Sequence, residues 1–277
     1  MTITRKSMLP LLITCTCVVA QNVAARSQAN STASTASDAH FEVATIKPSS
    51  PNSSNSSPGA MGHRVTMYGT TVLFLIGFAY DLHDDQIIGS PSWSSSEKFD
   101  IDAVSGIPGD PSLDQIKMML RGLLAERFQL TAQSENRPHA AYALSLAKNG
   151  PKLAESSEPV DSKPGLFMQP GFPKVAAMKG VNLSMSDFAR LLQSGILDRP
   201  VVDHTGLAGK YDFLLRWTPD DSQFRQVGLR LPPPSESSDA PSLYTAIQDQ
   251  LGLKLTAEKD ALVPVLLIQH LSRPSPN

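Results

Sequence analysis

Few side chains in this chain are of a type and spacing that would do chemistry. Six histidines (His40, His63, His83, His139, His204 and His270) are scattered along it. None falls in the His-Glu-x-x-His spacing that sets two imidazoles on one helical face around zinc. His83-Asp84-Asp85 offers nitrogen and oxygen donors, but neighbours on an extended turn point apart, so a solvated turn is expected there and no metal site. The Gly-x-Ser-x-Gly of α/β-hydrolases is absent. Ser-x-x-Lys occurs at Ser95–Lys98 and Ser145–Lys148, but both copies fall in or beside strands, and the Ser-Asp-Asn and Lys-Thr-Gly partners are missing. No glycine-rich loop of either phosphate-binding type is present, so no catalytic residue and no cofactor is expected.

Three residues remain as binding candidates. Asp203 and His204 sit in the polar turn 203–206, where the carboxylate either bonds its own backbone two residues on or meets a ligand. Trp93 ends the Gly/Pro/Ser turn 89–93, where an indole either stacks on a ligand or folds back onto the core. Asp100 and Asp212 form a tempting pair for acid/base work. Both alternate with large apolar residues in strand-like runs, so they are expected on the solvent face or bonded to a neighbouring turn.

The elements that hold these residues follow a pattern that runs twice. In the first pass, a strand at 65–68 leads into an apolar helix over 70–82, a short strand at 86–88, and a strand at 98–104. A helix then opens at Ser112, where Gln115 completes a capping box. Leu113, Ile116, Leu120, Leu123 and Leu124 share its apolar face. Strands at 128–132 and 141–147, joined by a short loop, close the unit. In the second pass, a strand at 175–179 leads to a helix capped by Ser184 and Asp187, then strands at 200–202 and 210–217. A helix from 241 and strands at 253–257 and 263–271 complete it. Lys98-Phe99-Asp100-Ile101 mirrors Lys210-Tyr211-Asp212-Phe213, and Leu130-Thr131-Ala132 recurs as Leu255-Thr256-Ala257. Such recurrence points to internal duplication. The expected fold class is α+β: two tandem related units, 41–150 and 174–277, each with two helices packed on a mostly antiparallel sheet. Residues 151–173 form the linker, and a Pro/Ser-rich insert occupies 219–240.

Before the first unit, Arg5 and Lys6 precede an apolar run at 8–20, the pattern of a secretory signal over 1–25, with cleavage after Ala20 or after Ala25. Residues 26–40 are a Ser/Ala/Thr tether. Both cysteines, Cys15 and Cys17, lie within the signal, and the segment before Cys15 fits a lipoprotein cleavage box poorly. The cleaved chain is then exported, periplasmic or extracellular, free of disulfides and without a membrane span. The whole chain carries a net charge of −2 and no basic stripe, which argues against nucleic acid.

Several segments carry a family likeness: 41–48, 89–93, 124–128, 142–151, 199–213 and 250–255. In them the chain resembles an exported "soil-associated" family of Acidobacteria and related soil bacteria, catalogued as a domain of unknown function. Related domains are sometimes attached to BlaR-type membrane metallopeptidase sensors, so the resemblance implies sensing or binding outside the membrane. It supplies no catalytic residues. The expected function is therefore a non-enzymatic extracytoplasmic binding or sensing module for a small molecule, peptide or envelope protein. The alternatives are an extracytoplasmic hydrolase using Asp203 and His204, and a structural envelope component.

Overall fold

The computed structural model describes residues 39–50, 59–159, 162, 164–225, 229–231 and 240–275. The expected signal, Cys15, nearly all of the expected tether and half of the Pro/Ser-rich insert lie outside them. In chain order the strands are β1 (Phe41–Pro48), β2 (Gly59–Met61), β3 (Arg64–Thr71), β4 (Ile87–Ile88), β5 (Lys98–Ser105), β6 (Thr131–Leu146), β7 (Ala154–Glu155), β8 (Gly165–Met168), β9 (Ala176–Leu183), β10 (Val201–Asp203), β11 (Tyr211–Trp217) and β12 (Leu253–His270). The helices are α1 (Val72–Tyr80), α2 (Trp93–Ser96), α3 (Leu113–Arg127), α4 (Met185–Leu191) and α5 (Leu243–Leu251). The α+β class expected from the sequence is the one observed.

Helix starts follow their capping residues. Ser112 opens α3 and Ser184 opens α4, each in a reciprocal capping box that satisfies two otherwise orphaned N–H groups. Thr71 and Ser242 cap α1 and α5. The buried face of α3 is Ile116, Lys117, Met119, Leu120, Leu123 and Leu124. Leu113, expected on that face, is 54% exposed because it stands at the helix's first position, outside the packed turns. Lys117 takes a place on the buried face that the apolar pattern did not foresee.

The strands form three sheets, ordered β1-β5-β3-β2, β10-β6-β12-β4 and β7-β11-β9-β8. The first and third are antiparallel throughout. The first packs Val65, Met67, Phe99 and Ile101 against α1 and α3. The third packs Met178, Phe213, Leu215 and Trp217 against α4 and α5. Strands β7 and β8 lie inside the stretch expected to be a linker.

The central sheet departs most from expectation. Each pair of closing strands proves to be one long strand, β6 or β12, and the two pair with each other almost end to end. Each starts in the core of its own half and ends in the other. Phe128 and Leu130, just before β6, belong to the first core, whereas Tyr142 and Leu144 belong to the second. Leu253 and Leu255 of β12 belong to the second core and Leu266 to the first. The polar run 133–139 of β6 crosses between cores, largely in solvent, which is why it resembled a loop. The short strands are exchanged as well: β4 pairs parallel with β12, and β10 parallel with β6.

A second correspondence joins the outer sheets. In β3 the register slips between Met67 and Thr70, and in β9 between Gly180 and Leu183, each time two residues before a helix N-cap. Gly69 (φ +62°) and Asn182 (φ +54°) stand left-handed at these bulges. The N–H of Gly69 donates to Asp100 Oδ1, and that of Asn182 to Asp212 Oδ1, both at 2.8 Å. The aspartates thus hold two bulges. They form no acid/base pair.

Candidate functional site

The sequence candidates do not converge. Trp93 begins the short helix α2, where a plain turn was expected. It packs on the first core with Arg273 over its ring at 5.2 Å, and Arg273 is itself held by Glu97. His204 is exposed, and its backbone N–H donates to Leu144 O at 2.8 Å. Asp203, at the end of β10, uses Oδ1 to close its own turn, accepting from the N–H of Thr205 at 2.9 Å and its hydroxyl at 2.7 Å. Among the described residues its Oδ2 receives only the Ser186 hydroxyl, at 3.3 Å.

Asp203 also lines a cleft of about 480 Å³ that draws on both halves. One wall is the end of α1 and the loop beyond it, Tyr80–Leu82 and Gln86. The facing wall is α4 with β10, from Ser186 to Asp203, and Leu262–Pro264 of β12 adds an apolar side. A volume of this size suits a small organic molecule.

Asp81 ties the walls together. It ends α1 in the left-handed region (φ +58°), its N–H donating to Gly77 O. Its carboxylate takes the Lys117 ammonium at 2.5 Å and lies 3.6 Å from Arg190 of α4. Its carbonyl accepts from Gln193 Nε2 at 2.8 Å, while Gln193 Oε1 accepts from the N–H of Val201 at 3.0 Å. One glutamine thereby bridges the end of α1 to the edge strand β10. Gln86 does similar work on the other side, donating to Pro264 O and accepting from the N–H of His83.

Asp81, Asp187 and Arg190 are already engaged with one another. Burial alone would raise the Asp187 pKa, but bonds from Ser184 and Arg190 overcome this and hold it below the usual carboxylate range. Burial opposes the charge of Arg190, and Asp81 and Asp187 more than restore it. His83, expected in a solvated turn, is 6% exposed instead, because its ring caps the turn Asp84–Gln86 by accepting from the N–H of Asp85 at 3.3 Å. Burial lowers its pKa, and the nearby aspartates only partly offset that. Beyond the cleft, Tyr142 donates to Asp198 at 3.1 Å and accepts from Tyr244 at 3.0 Å. Burial, with these neighbours, pushes its pKa well above the ordinary phenol value. Among the described residues no three His, Cys, Asp or Glu side chains gather as a metal site, and no helix is long and apolar enough to cross a membrane.

Sequence reasoning missed Asp81, Lys117, Gln86, Arg190 and Gln193. Arg190 and Lys117 had a local signal, each standing three residues after a carboxylate, Asp187 or Asp114, and Gln86 had one in its capping-box spacing from His83.

Among known families, one described as a protein of unknown function, DUF3738, matches residues 74–271. No curated protein and no solved structure matches the chain.

Proposed function

The chain belongs to the DUF3738 family, and from the cleft we propose that this member is a ligand-binding or sensing module acting outside the cytoplasm, with no chemistry of its own. The observation that carries this reading is the composition of the cleft. Its walls come from both halves of the chain, and Arg190 and Asp81 are held in structural pairs. The cleft residue Ser186 bonds a carboxylate, with no histidine base beside it. A hydrolase built on Asp203 and His204 would need the imidazole in the cleft, and His204 does not line it.

The reading includes internal duplication. In its favour stand the matching strand orders of the outer sheets, the reciprocal exchange of β4 and β10, and the two aspartate-held bulges. A cleft between two copies of one unit changes shape when they shift, which suits sensing. Export rests on the signal-like start. Mass spectrometry of protein recovered from periplasm or medium should find it beginning at Gln21 or Arg26. The likeness to exported proteins of soil bacteria, some attached to BlaR-type sensors, favours a ligand met outside the cell.

The test is a thermal-shift screen of the full mature chain against sugars, peptides and cell-wall fragments. A ligand present at a hundred times its Kd stabilises the native state by about 2.7 kcal/mol. For a body of this size that is a rise of about 5–10 °C in Tm. Silence across the screen would sink the binding reading.

A further inference from the structure

The charges in the cleft are unevenly matched. Arg190 is held by Asp187 and Asp81, and Asp81 by Lys117. Asp203 has no such partner. Among the described residues no lysine, arginine or histidine lies within ion-pair distance of it. Its two oxygens have divided roles: Oδ1 is spent on the turn through Thr205, and Oδ2 receives one long bond from Ser186. Beside it the cleft is apolar, with Val202, Val263, Pro264 and Leu262. Leu262 is 69% exposed, a large aliphatic side chain left in water at the rim.

Building on the binding reading, we propose that the cleft takes an organic cation, an ammonium or guanidinium on an aliphatic body. The cation pairs with Asp203 Oδ2, and the body covers Leu262 and Val263. An anionic ligand would have to displace Asp81 or Asp187 from Arg190 and would still face the unneutralised Asp203. A cation meets a carboxylate whose turn-forming bonds stay intact.

The experiment titrates the full mature chain with three probes of equal length, hexylamine (protonated at pH 7), hexanol and hexanoate, followed by amide chemical shifts. Hexylamine should bind at the cleft about tenfold more tightly than hexanol, the lower end of what a charge-assisted hydrogen bond contributes, and hexanoate more weakly than either. Asp203→Asn keeps an oxygen for the turn and removes only the charge. It should reduce hexylamine affinity about tenfold, leave hexanol unchanged and leave Tm unchanged. Equal binding of all three probes, tightest binding by hexanoate, or undiminished hexylamine binding in the variant overturns the cation assignment while the cleft remains a binding site. No shift with any probe overturns it too, and with a silent ligand screen removes the binding reading as well.

Discussion

Replacing Asp81 by asparagine should destabilise the protein through Lys117. Lys117 is 7% exposed on the packed face of α3, with its ammonium 2.5 Å from Asp81 Oδ1. Its other acidic neighbour is Asp114 at 4.0 Å, whose side chain is 84% exposed and so free to drift into water. Removing one partner of a buried pair costs about 3–5 kcal/mol, because the other charge is stranded. The Asp81 side chain is 30% exposed, so water reaches the site and the loss should fall to about 2 kcal/mol. Asparagine tolerates the left-handed conformation of residue 81, so the end of α1 survives and the change isolates the charge. Lys117→Met removes the ammonium and keeps the aliphatic stem, at a cost of about 1 kcal/mol. The double variant strands nothing and should lose about 1 kcal/mol, where independent effects would sum to about 3. Urea unfolding followed through the fully buried Trp217 measures all four proteins, with an unchanged m-value as the control. Asp81→Asn within about 0.5 kcal/mol of wild type, or additive losses in the double variant, would refute the reasoning.

Asp212→Ala should cost about 1–3 kcal/mol, since it leaves the N–H of Asn182 at its left-handed bulge without its acceptor, and Asp100→Ala should cost less, since the N–H of Gly69 keeps the Ser49 hydroxyl oxygen at 3.2 Å. Urea melts measure both losses, and a loss for Asp100→Ala as large as that for Asp212→Ala would refute the backup role of Ser49. His83 is held neutral by burial with its pKa below 6.5, so the unfolded chain takes up a proton first as pH falls. Its contribution is complete above that value and declines below it, by at most about 1.4 kcal/mol per pH unit. His83→Asn keeps an acceptor for the turn and should flatten this acid slope, and an unaltered slope would show that other groups produce it.

What the sequence disclosed and what it concealed divide along physical lines. Helix starts were legible because a cap is written within four residues: Ser112 with Gln115, Ser184 with Asp187. The structural role of Asp100 and Asp212 was half legible, since alternation with Phe99, Ile101, Tyr211 and Phe213 turned them away from the core. The bulge each one holds depends on a residue 30 or 31 positions earlier. The long central strands were hidden by their own burial pattern. A strand that is apolar at both ends and polar between resembles two strands and a loop, unless the two ends belong to different cores.

That exchange also explains why the cleft was invisible. Its polar members and the lysine behind them are conventional where they stand: Asp81 ends a helix, its partner Lys117 sits within one, and Gln193 follows one. They acquire a joint role only because crossing strands bring the end of α1 against α4. Gln193 reaches across 112 residues to the carbonyl of Asp81, and Gln86 across 178 to that of Pro264. Contacts at such separation leave no periodicity to detect. Asp203 was visible because its turn is local, and the same turn concealed its second oxygen: one carboxylate closes a loop with Oδ1 and receives the cleft residue Ser186 at Oδ2. The turn residue and the ligand residue, weighed as rivals from sequence, are compatible in a side chain with two acceptors.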